Sequence, residues 1–293
     1  MSNVELIFQL YKPYRITKMG HVYIMDTMEG IFVLKESSFS YPELYDYLFS
    51  HDFTNVPKLM KDSRKNCYVF QFEKDVTEEK NQKFRDLCGI VSLLHHKTSY
   101  FKKIAEERYE DIYNSLSFQM QDLQHKYEAN FDTFVTCDNY SPAVYLFLRN
   151  YSLFSYSFFQ CKKYLEEWFL LVKEKNQERV CYIHNDLKLE HYIKNDNNYI
   201  ISWEKSCVDT PVLDIFHLYQ NEFLNVDIQG NIDAYFERFS WNQEEKMLFL
   251  TLILMPKEID FNLDEYELCK DIRRLIIYYQ KSLDIVSKMA IEV

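Results

Sequence analysis

Glycine is scarce in this chain, whose 293 residues include four: Gly20, Gly30, Gly89 and Gly230. Loops that cradle phosphates need glycine, because backbone N–H groups must approach the phosphate without a Cβ in the way. The sequence contains neither a G-x-G-x-x-G segment nor a G-x-x-x-x-G-K-S/T segment. It therefore does not support a Walker-type nucleotide hydrolase or a dinucleotide-binding Rossmann site.

Long apolar runs and an excess of basic residues are also lacking. The longest apolar run, 247–255, is interrupted by Thr251 and is far shorter than the ~20 residues that span a bilayer. The N-terminus carries neither the basic nor the apolar part of a signal peptide. We therefore expect no membrane insertion and a cytoplasmic location at synthesis. The formal net charge of −11 argues against a general nucleic-acid binder, which needs clustered basic residues.

The seven cysteines are odd in number and scattered without C-x-x-C spacing. This pattern is typical of reduced thiols rather than of a disulfide framework or a zinc site.

The N-terminal part of the chain has the pattern of a small antiparallel sheet. Runs of β-branched and aromatic residues at 21–25, 31–35 and 67–72 predict strands, and the first two are joined by a turn that ends at Gly30. Pro42, two residues after Ser40, predicts the first turn of a helix over 41–50. We predict a small lobe, residues 1–73, with this sheet and one helix.

The rest of the chain, residues 74–293, has apolar residues at helical spacing and predicts a large, mostly helical lobe. Its helices are expected over 77–96 with Thr77 as the cap, from 101 to 123, as two helices within 141–175, after the N-x-x-E cap at 242–245, and from about 263 to 289. We assign the apolar stripes to packing. The predicted fold class is therefore α+β.

Three segments between these helices carry polar residues at an informative spacing. They are His184-Asn185-Asp186-Leu187-Lys188-Leu189-Glu190-His191, then Ile201-Ser202-Trp203-Glu204, then the stretch from Asp209 to Asp214. They resemble the catalytic core of aminoglycoside-phosphotransferase-like and choline-kinase-like enzymes. That core runs H-x-D-x-x-x-x-N, then I-D-W-E, then a helix start of the form G-x-P-x-x-D-L. The resemblance implies a bilobal, protein-kinase-like fold.

The resemblance also implies roles for individual residues. Phosphoryl transfer from ATP needs a carboxylate at the acceptor hydroxyl and a cation on the phosphates. Asp186 occupies the position of that base, and Lys35, on the second strand, occupies the position of the phosphate lysine. Glu43, early in the following helix, is the available ion-pair partner for Lys35. His184 and Asp214 are expected to structure the loop, Asp214 by capping backbone N–H groups near the start of a helix.

The two metal-ligand positions depart from the family pattern. His191 stands where the family has Asn, and Ser202 stands where it has Asp. Magnesium prefers hard oxygen ligands, whereas imidazole suits zinc, copper or iron, and Ser202 brings no charge. His191 can instead be a hydrogen-bonding spacer. Glu204 is a possible substitute carboxylate, although Glu is usual there even in enzymes that keep the Asp.

Two further segments narrow the resemblance. Residues 248–261, which include Pro256, Lys257 and Ile259, and residues 92–100, with the sequence S-L-L-H-H-K-T-S-Y, resemble bacterial spore-coat kinase-like proteins of the CotS type, particularly the YutH- and YsxE-like branches. This implies expression in the sporulating mother cell, deposition in the coat and other coat proteins as partners.

Two hypotheses about function follow. The first is a kinase-like pseudoenzyme that acts in spore-coat assembly. The second is an active small-molecule phosphotransferase with Asp186 as base, unusual metal ligation and a hydroxyl acceptor. Mg-ATP is the expected cofactor under the second hypothesis alone.

Overall fold

The structure, a computed structural model, describes residues 2–76 and 78–291 of the chain. The N-terminal part forms a four-stranded antiparallel sheet in the order β1-β2-β3-β4 with two helices. Its elements are α1 (Asn3–Tyr11), β1 (Arg15–Met19), β2 (Val22–Thr27), β3 (Gly30–Glu36), α2 (Tyr41–Ser50) and β4 (Cys67–Gln71).

Three strands and α2 were predicted from the sequence and are confirmed, whereas α1 and β1 were missed. A local signal for α1 is present, because Ser2 and Glu5 form a capping box. Strand β1 is exposed along its whole length, so it lacks the alternation of buried and exposed residues that would reveal it.

The remainder is mostly helical, with two small sheets of strand order β5-β6-β9 and β7-β8. The helices are α3 (Lys80–Thr98), α4 (Arg108–Val135), α5 (Pro142–Val172), α6 (Val212–Glu222), α7 (Ile228–Asn231), α8 (Asp233–Phe236), α9 (Gln243–Leu254) and α10 (Glu265–Ile291). The strands are β5 (Tyr100–Lys103), β6 (Gln177–Ile183), β7 (Tyr192–Ile193), β8 (Tyr199–Ile200) and β9 (Cys207–Asp209).

Two predicted helices were wrong in extent. The segment 101–123 was predicted as one helix, but residues 100–103 pair with β6 as strand β5, and α4 begins only at Arg108. The segment 141–175 was predicted as two helices, but α5 is a single helix of 31 residues. The predicted cap at Thr77 lies outside the described residues. Helix α3 begins at Lys80, and the side chain of Glu79 caps it by accepting from the backbone N–H of Gln82.

The main core lies around α5, which packs against α4, α9 and α10. Its buried aromatic side chains include Phe147, Phe154, Phe158, Tyr127 and Tyr279. Helix α2 belongs to this same buried cluster through Tyr41, Leu44, Tyr45 and Leu48. A smaller cluster lies between α1 and strands β2, β3 and β4 of the N-terminal sheet. Over residues 2–76 and 78–291, the helices are all too short or too polar to cross a membrane.

The fold is therefore of the predicted class, with a small β-sheet region at the N-terminus and a larger helical part. The division of the chain at residue 73 stays a prediction.

Candidate functional site

The loop 184–191 follows β6 and is held in place by a buried carboxylate. Asp214, in the first turn of α6, is fully buried and accepts the backbone N–H groups of His184 at 2.8 Å and Asn185 at 2.6 Å. Burial disfavours the ionised carboxylate, but the hydrogen bond and charge of His95 together with His184 outweigh it, so the pKa of Asp214 is lowered. The loop thus starts from a fixed, charge-assisted anchor.

The anchor continues inward as a chain of buried hydrogen bonds that the sequence analysis missed. Trp241 Nε1 donates to the Tyr235 hydroxyl at 3.2 Å, that hydroxyl lies 2.8 Å from His95 Nδ1, and His95 Nε2 lies 3.0 Å from Asp214 Oδ2. The network is satisfied when the hydroxyl donates to Nδ1 and Nε2–H donates to the carboxylate. His95 lies in the segment 92–100, which was assigned to family resemblance alone.

His184 joins the loop to the strand that leads to Ser202. Its Nε2 lies 2.8 Å from the carbonyl oxygen of Ile201, and its ring packs against Trp203 at a centroid distance of 5.0 Å. The side chain is fully buried, its Nδ1 has no hydrogen-bond partner among the described residues, and burial lowers its pKa. His184 therefore links the loop 184–191 to the segment around Ser202.

Asp186, at the position expected for the base, points toward a lysine. Lys205 Nζ lies 3.2 Å from Asp186 Oδ2, and the carboxylate side chain is 24% exposed. Burial raises the pKa of Asp186, but the hydrogen bond of Lys205 and the charges of Lys188 and Lys205 outweigh it and lower the pKa overall. The ionised form of the carboxylate is thus favoured, and it is paired with a 65% exposed lysine that the sequence analysis did not single out.

His191 contacts the same loop rather than a metal-binding cluster. Its Nδ1 lies 2.8 Å from the carbonyl oxygen of Asp186, which is a hydrogen bond that spans the loop. Burial lowers the pKa of His191, so its uncharged form is favoured and Nδ1–H can donate to the carbonyl. Within the described part of the chain, His, Cys, Asp and Glu side chains do not gather in threes around a common metal position.

Ser202 lies in a cavity of about 250 Å³ between the N-terminal sheet and the segment 193–203. Its backbone is left-handed, with φ of 68° and ψ of 51°. The cavity is mostly apolar and is lined on one side by Val22, Ile24 and Val33 and on the other by Ile193 and Ile201. A mostly apolar cleft with a few polar groups is typical of a small-molecule site.

Lys35 also lines this cavity, but its partner differs from the one predicted. The predicted pairing with Glu43 is wrong: Lys35 Nζ forms a salt bridge with Glu204 Oε1, and Glu43 is exposed on α2. The Tyr41 hydroxyl donates to the same Glu204 oxygen at 2.8 Å. Burial raises the pKa of Glu204, but the Lys35 and Tyr41 hydrogen bonds lower it overall. Glu204 therefore connects the segment after Ser202 to β3 through Lys35 and to α2 through Tyr41.

The site thus brings Lys35 and Ser202 together at the cavity, with Glu204 bonded to Lys35. Asp186, His184 and His191 lie on the adjoining loop, which Asp214 anchors. Glu43 is not part of it. Tyr41, His95 and Lys205 were missed, because single tyrosine, histidine and lysine residues carry no spacing signal of their own.

Comparison with known proteins identifies the fold. A scan against protein-family models gives no match, and a search of curated protein sequences gives none either. Among solved structures, the chain is similar to an aminoglycoside phosphotransferase from Alicyclobacillus acidocaldarius subsp. acidocaldarius DSM 446. The TM-score is 0.72 and the identity 11%, over 96% of this chain and 92% of that one.

The chain is also similar to a spectinomycin phosphotransferase in its AMP-bound complex. The TM-score is 0.53 and the identity 11%, over 95% of this chain and 98% of that one. Identities this low establish the fold alone. The chain has the kinase-like fold of the aminoglycoside phosphotransferases.

Proposed function

We propose that this chain is a kinase-like pseudoenzyme, which keeps the phosphotransferase fold but has lost the magnesium–nucleotide site. The observation that carries this proposal is the pairing of two acidic side chains of the candidate site, Glu204 and Asp186, with lysines. Glu204 is held by Lys35 and Tyr41, and Asp186 is held by Lys205. A lysine ammonium thus stands beside each of these two carboxylates and would compete with a divalent cation for it.

The residues present do not fit magnesium. The ion prefers near-octahedral oxygen ligation with carboxylates, whereas Ser202 offers a neutral hydroxyl and His191 an imidazole that is already hydrogen-bonded. A unit charge pair near 4 Å is worth about 4 kcal/mol at an effective dielectric of about 20. At ~1.4 kcal/mol per tenfold in rate, the absent carboxylate costs roughly a thousandfold.

The proposed biological role is in spore-coat assembly, with other coat proteins as partners and the coat as the final location. This part of the proposal rests on the sequence resemblance of the segments 92–100 and 248–261. In the structure, the first segment supplies His95 to the buried chain that fixes the loop, and the second covers the end of α9 and the turn into α10.

The second candidate is an active small-molecule phosphotransferase that uses ATP and a hydroxyl acceptor. One observation favours it: Asp186 is partly exposed and its pKa is lowered, so an ionised carboxylate is available to orient an acceptor hydroxyl. Glu204 would then be the carboxylate for a metal, after release from Lys35.

Nucleotide binding with and without magnesium distinguishes the two candidates. For the pseudoenzyme, we expect the melting temperature to change little on adding Mg-ATP, because a weak ligand contributes only RT ln(1 + [L]/Kd). Calorimetric titration of ATP in magnesium and in EDTA is the direct measurement. Magnesium-dependent binding at sub-millimolar ATP, accompanied by turnover, would establish the second candidate and remove the first.

A further inference from the structure

A second cavity, of about 360 Å³, lies between the C-terminal end of α6, the segment after α9 and helix α10. Among the described residues it shares no lining side chain with the cavity at Ser202. Lys257 lines this second cavity and belongs to the segment 248–261. It does not line the cavity at Ser202.

Two cations, Lys257 and Arg274, line this second cavity. Lys257 Nζ lies 4.5 Å from the centroid of the Tyr278 ring, and the guanidinium of Arg274 lies 5.6 Å from the centroid of Phe223. Over residues 2–76 and 78–291, neither cation has a carboxylate oxygen within 4.0 Å, although most other half-buried basic groups form such pairs. The aromatic rings hold the two cations in place while their charges stay available.

The mutual repulsion of these two cations is a cost that the neighbouring acidic residues relieve only in part. Burial and then the charge of Arg274 lower the pKa of Lys257 to about 8. Two acidic residues, Glu258 and Asp271, also line the cavity, but among the described residues neither has a carboxylate oxygen within 4.0 Å of Lys257 or Arg274. Glu258 is 71% exposed and lies 3.6 Å from Lys126. Burial raises the pKa of Asp271, and the charge of Arg274 offsets this only in part. A bound anion placed between the two cations would relieve the repulsion.

We propose that this cavity binds a small phosphorylated molecule, a phosphate monoester of about hexose size, with its phosphoryl oxygens between Lys257 and Arg274. A guanidinium and an ammonium together match the geometry and charge of a phosphate group. The volume is within the usual range for small-molecule sites. Gln220, which also lines the cavity, offers an amide for a hydroxyl group of the ester.

The first experiment titrates the full chain with glucose 6-phosphate, inorganic phosphate and glucose in a calorimeter at pH 7. We expect saturable binding of glucose 6-phosphate, weaker binding of inorganic phosphate and none of glucose. Lys257→Met and Arg274→Met should each weaken glucose 6-phosphate binding at least about tenfold, because each removes a charge-assisted contact. Lys102→Met, at an exposed position on β5, is the matched control and should bind as the unmodified chain does.

Binding that survives in the Lys257→Met/Arg274→Met double variant would overturn the proposal, as would no saturation by either phosphate. Binding of inorganic phosphate as tight as that of the ester would remove the hexose-sized part of it. Since Arg274 is exposed, its variant tests the site even if loss of Lys257 disturbs folding. Lys35→Met should leave glucose 6-phosphate binding unchanged, which separates this site from the cavity at Ser202.

A second experiment uses pH to assign the binding to Lys257. Sulfate is the probe because its charge does not change between pH 7 and pH 9. With a lysine pKa of about 8, the ammonium fraction falls through this range, so sulfate affinity should drop roughly tenfold. The charged groups facing Lys257 are Arg274, Asp271 and Glu258. Lys257→Met should abolish this pH dependence, and a dependence that persists in the variant would contradict the assignment.

Discussion

At the scale of single residues, Ser202 has the most consequential side chain in the candidate site. It occupies a left-handed backbone conformation, which Asp and Asn tolerate better than other non-glycine residues because their short polar side chains hydrogen-bond locally. The backbone at this position is therefore suited to the carboxylate that the phosphotransferase pattern places there. The structure thus offers no backbone reason against restoring Asp.

The first prediction concerns restoring the two ligand positions. Ser202→Asp combined with His191→Asn should recover magnesium-dependent nucleotide binding in part. Ser202→Asp alone should do more than His191→Asn alone, because a full negative charge on a divalent ion outweighs a neutral amide. The measurement is the ratio of ATP dissociation constants in EDTA and in magnesium.

The matched control is Ser202→Asn, which has the same left-handed preference and nearly the same size as Ser202→Asp but no charge. It should leave the ratio near one. A double variant whose ATP affinity is unaffected by magnesium would show that the absent ligands do not explain the state of the site.

The second prediction concerns Asp214 at the base of the loop. Asp214→Asn leaves two backbone N–H groups and His95 without a charged acceptor, so it should lower the free energy of unfolding by about 3 kcal/mol. Urea unfolding measures this. Asp196→Asn, at an exposed position, should change it by less than about 0.5 kcal/mol. Equal effects of the two substitutions would contradict the anchoring role.

The pH dependence of this anchor has a definite sign. Because the pKa of Asp214 is lowered in the folded protein, its contribution to stability is present above the ordinary pKa of Asp. It is lost as pH falls through the lowered value. The difference in stability between the unmodified chain and Asp214→Asn should therefore shrink under strongly acidic conditions.

At the scale of elements, strand β5 shows how a local pattern is overridden. Residues 100–103 fit a helical spacing with the residues that follow, yet their backbone pairs with β6 from Tyr100↔Val180 to Lys103↔Gln177. All four residues of β5 are exposed, so burial does not determine their conformation. The pairing partner, about 80 residues away, does, and a local window cannot contain it.

Helix α5 shows the opposite, because the residues at its own N-terminus determine where it begins. Ser141 accepts the backbone N–H of Val144 at 3.3 Å, and Pro142 follows at the first helical position. The 31 residues then continue without a break, because Phe147, Phe154 and Phe158 keep one face in the core. The predicted division into two helices was wrong because that face is continuous.

The third prediction tests this start. Ser141→Ala should lower the free energy of unfolding by about 1 kcal/mol, the usual cost of removing a serine N-cap. Ser152→Ala, at an exposed position within the same helix, should be neutral or slightly stabilising because Ala has the higher helix propensity. Thermal or urea unfolding of the two variants is the comparison, and equal losses would argue against the cap.

At the scale of the whole molecule, the small N-terminal region is not packed separately from the large helical part. Four side chains of α2 lie in the main core cluster, and Glu204 holds both Lys35 and Tyr41. The side-chain amide of Asn55 donates to the carbonyl oxygen of Asn198, and the backbone carbonyl oxygen of Asn55 accepts from the backbone N–H of Ile200. These contacts oppose separate unfolding of residues 1–73.

The fourth prediction is a single unfolding transition. The three tryptophans, Trp168, Trp203 and Trp241, lie after residue 73, so their fluorescence reports the large part, while far-UV circular dichroism reports the whole chain. The two urea transitions should coincide. Leu48→Ala, which removes a fully buried side chain of α2, should shift both midpoints together and cost about 2–5 kcal/mol. A dichroism change that precedes the fluorescence change would indicate an independent N-terminal unit.

The sequence by itself determined the class of fold and the residues of the loop. The strands at 21–25, 31–35 and 67–72, helix α2 and helix α9 carry their own periodicity and caps, which act over a few residues. The sequence also singled out His184, Asp186, Ser202 and Asp214 as candidate site residues, because their spacing resembles a known motif. Lys35 was singled out because it precedes this motif on the second predicted strand.

Tertiary structure alone decided the partners. Lys35 has Glu43 eight residues away on the next helix, yet it pairs with Glu204, because the fold brings the segment after Ser202 against β3. Lys205 on Asp186, and the chain from Trp241 through His95 to Asp214, likewise join residues that no local window contains. An ion pair depends on where two side chains end in space, and that position is fixed only when the core has formed.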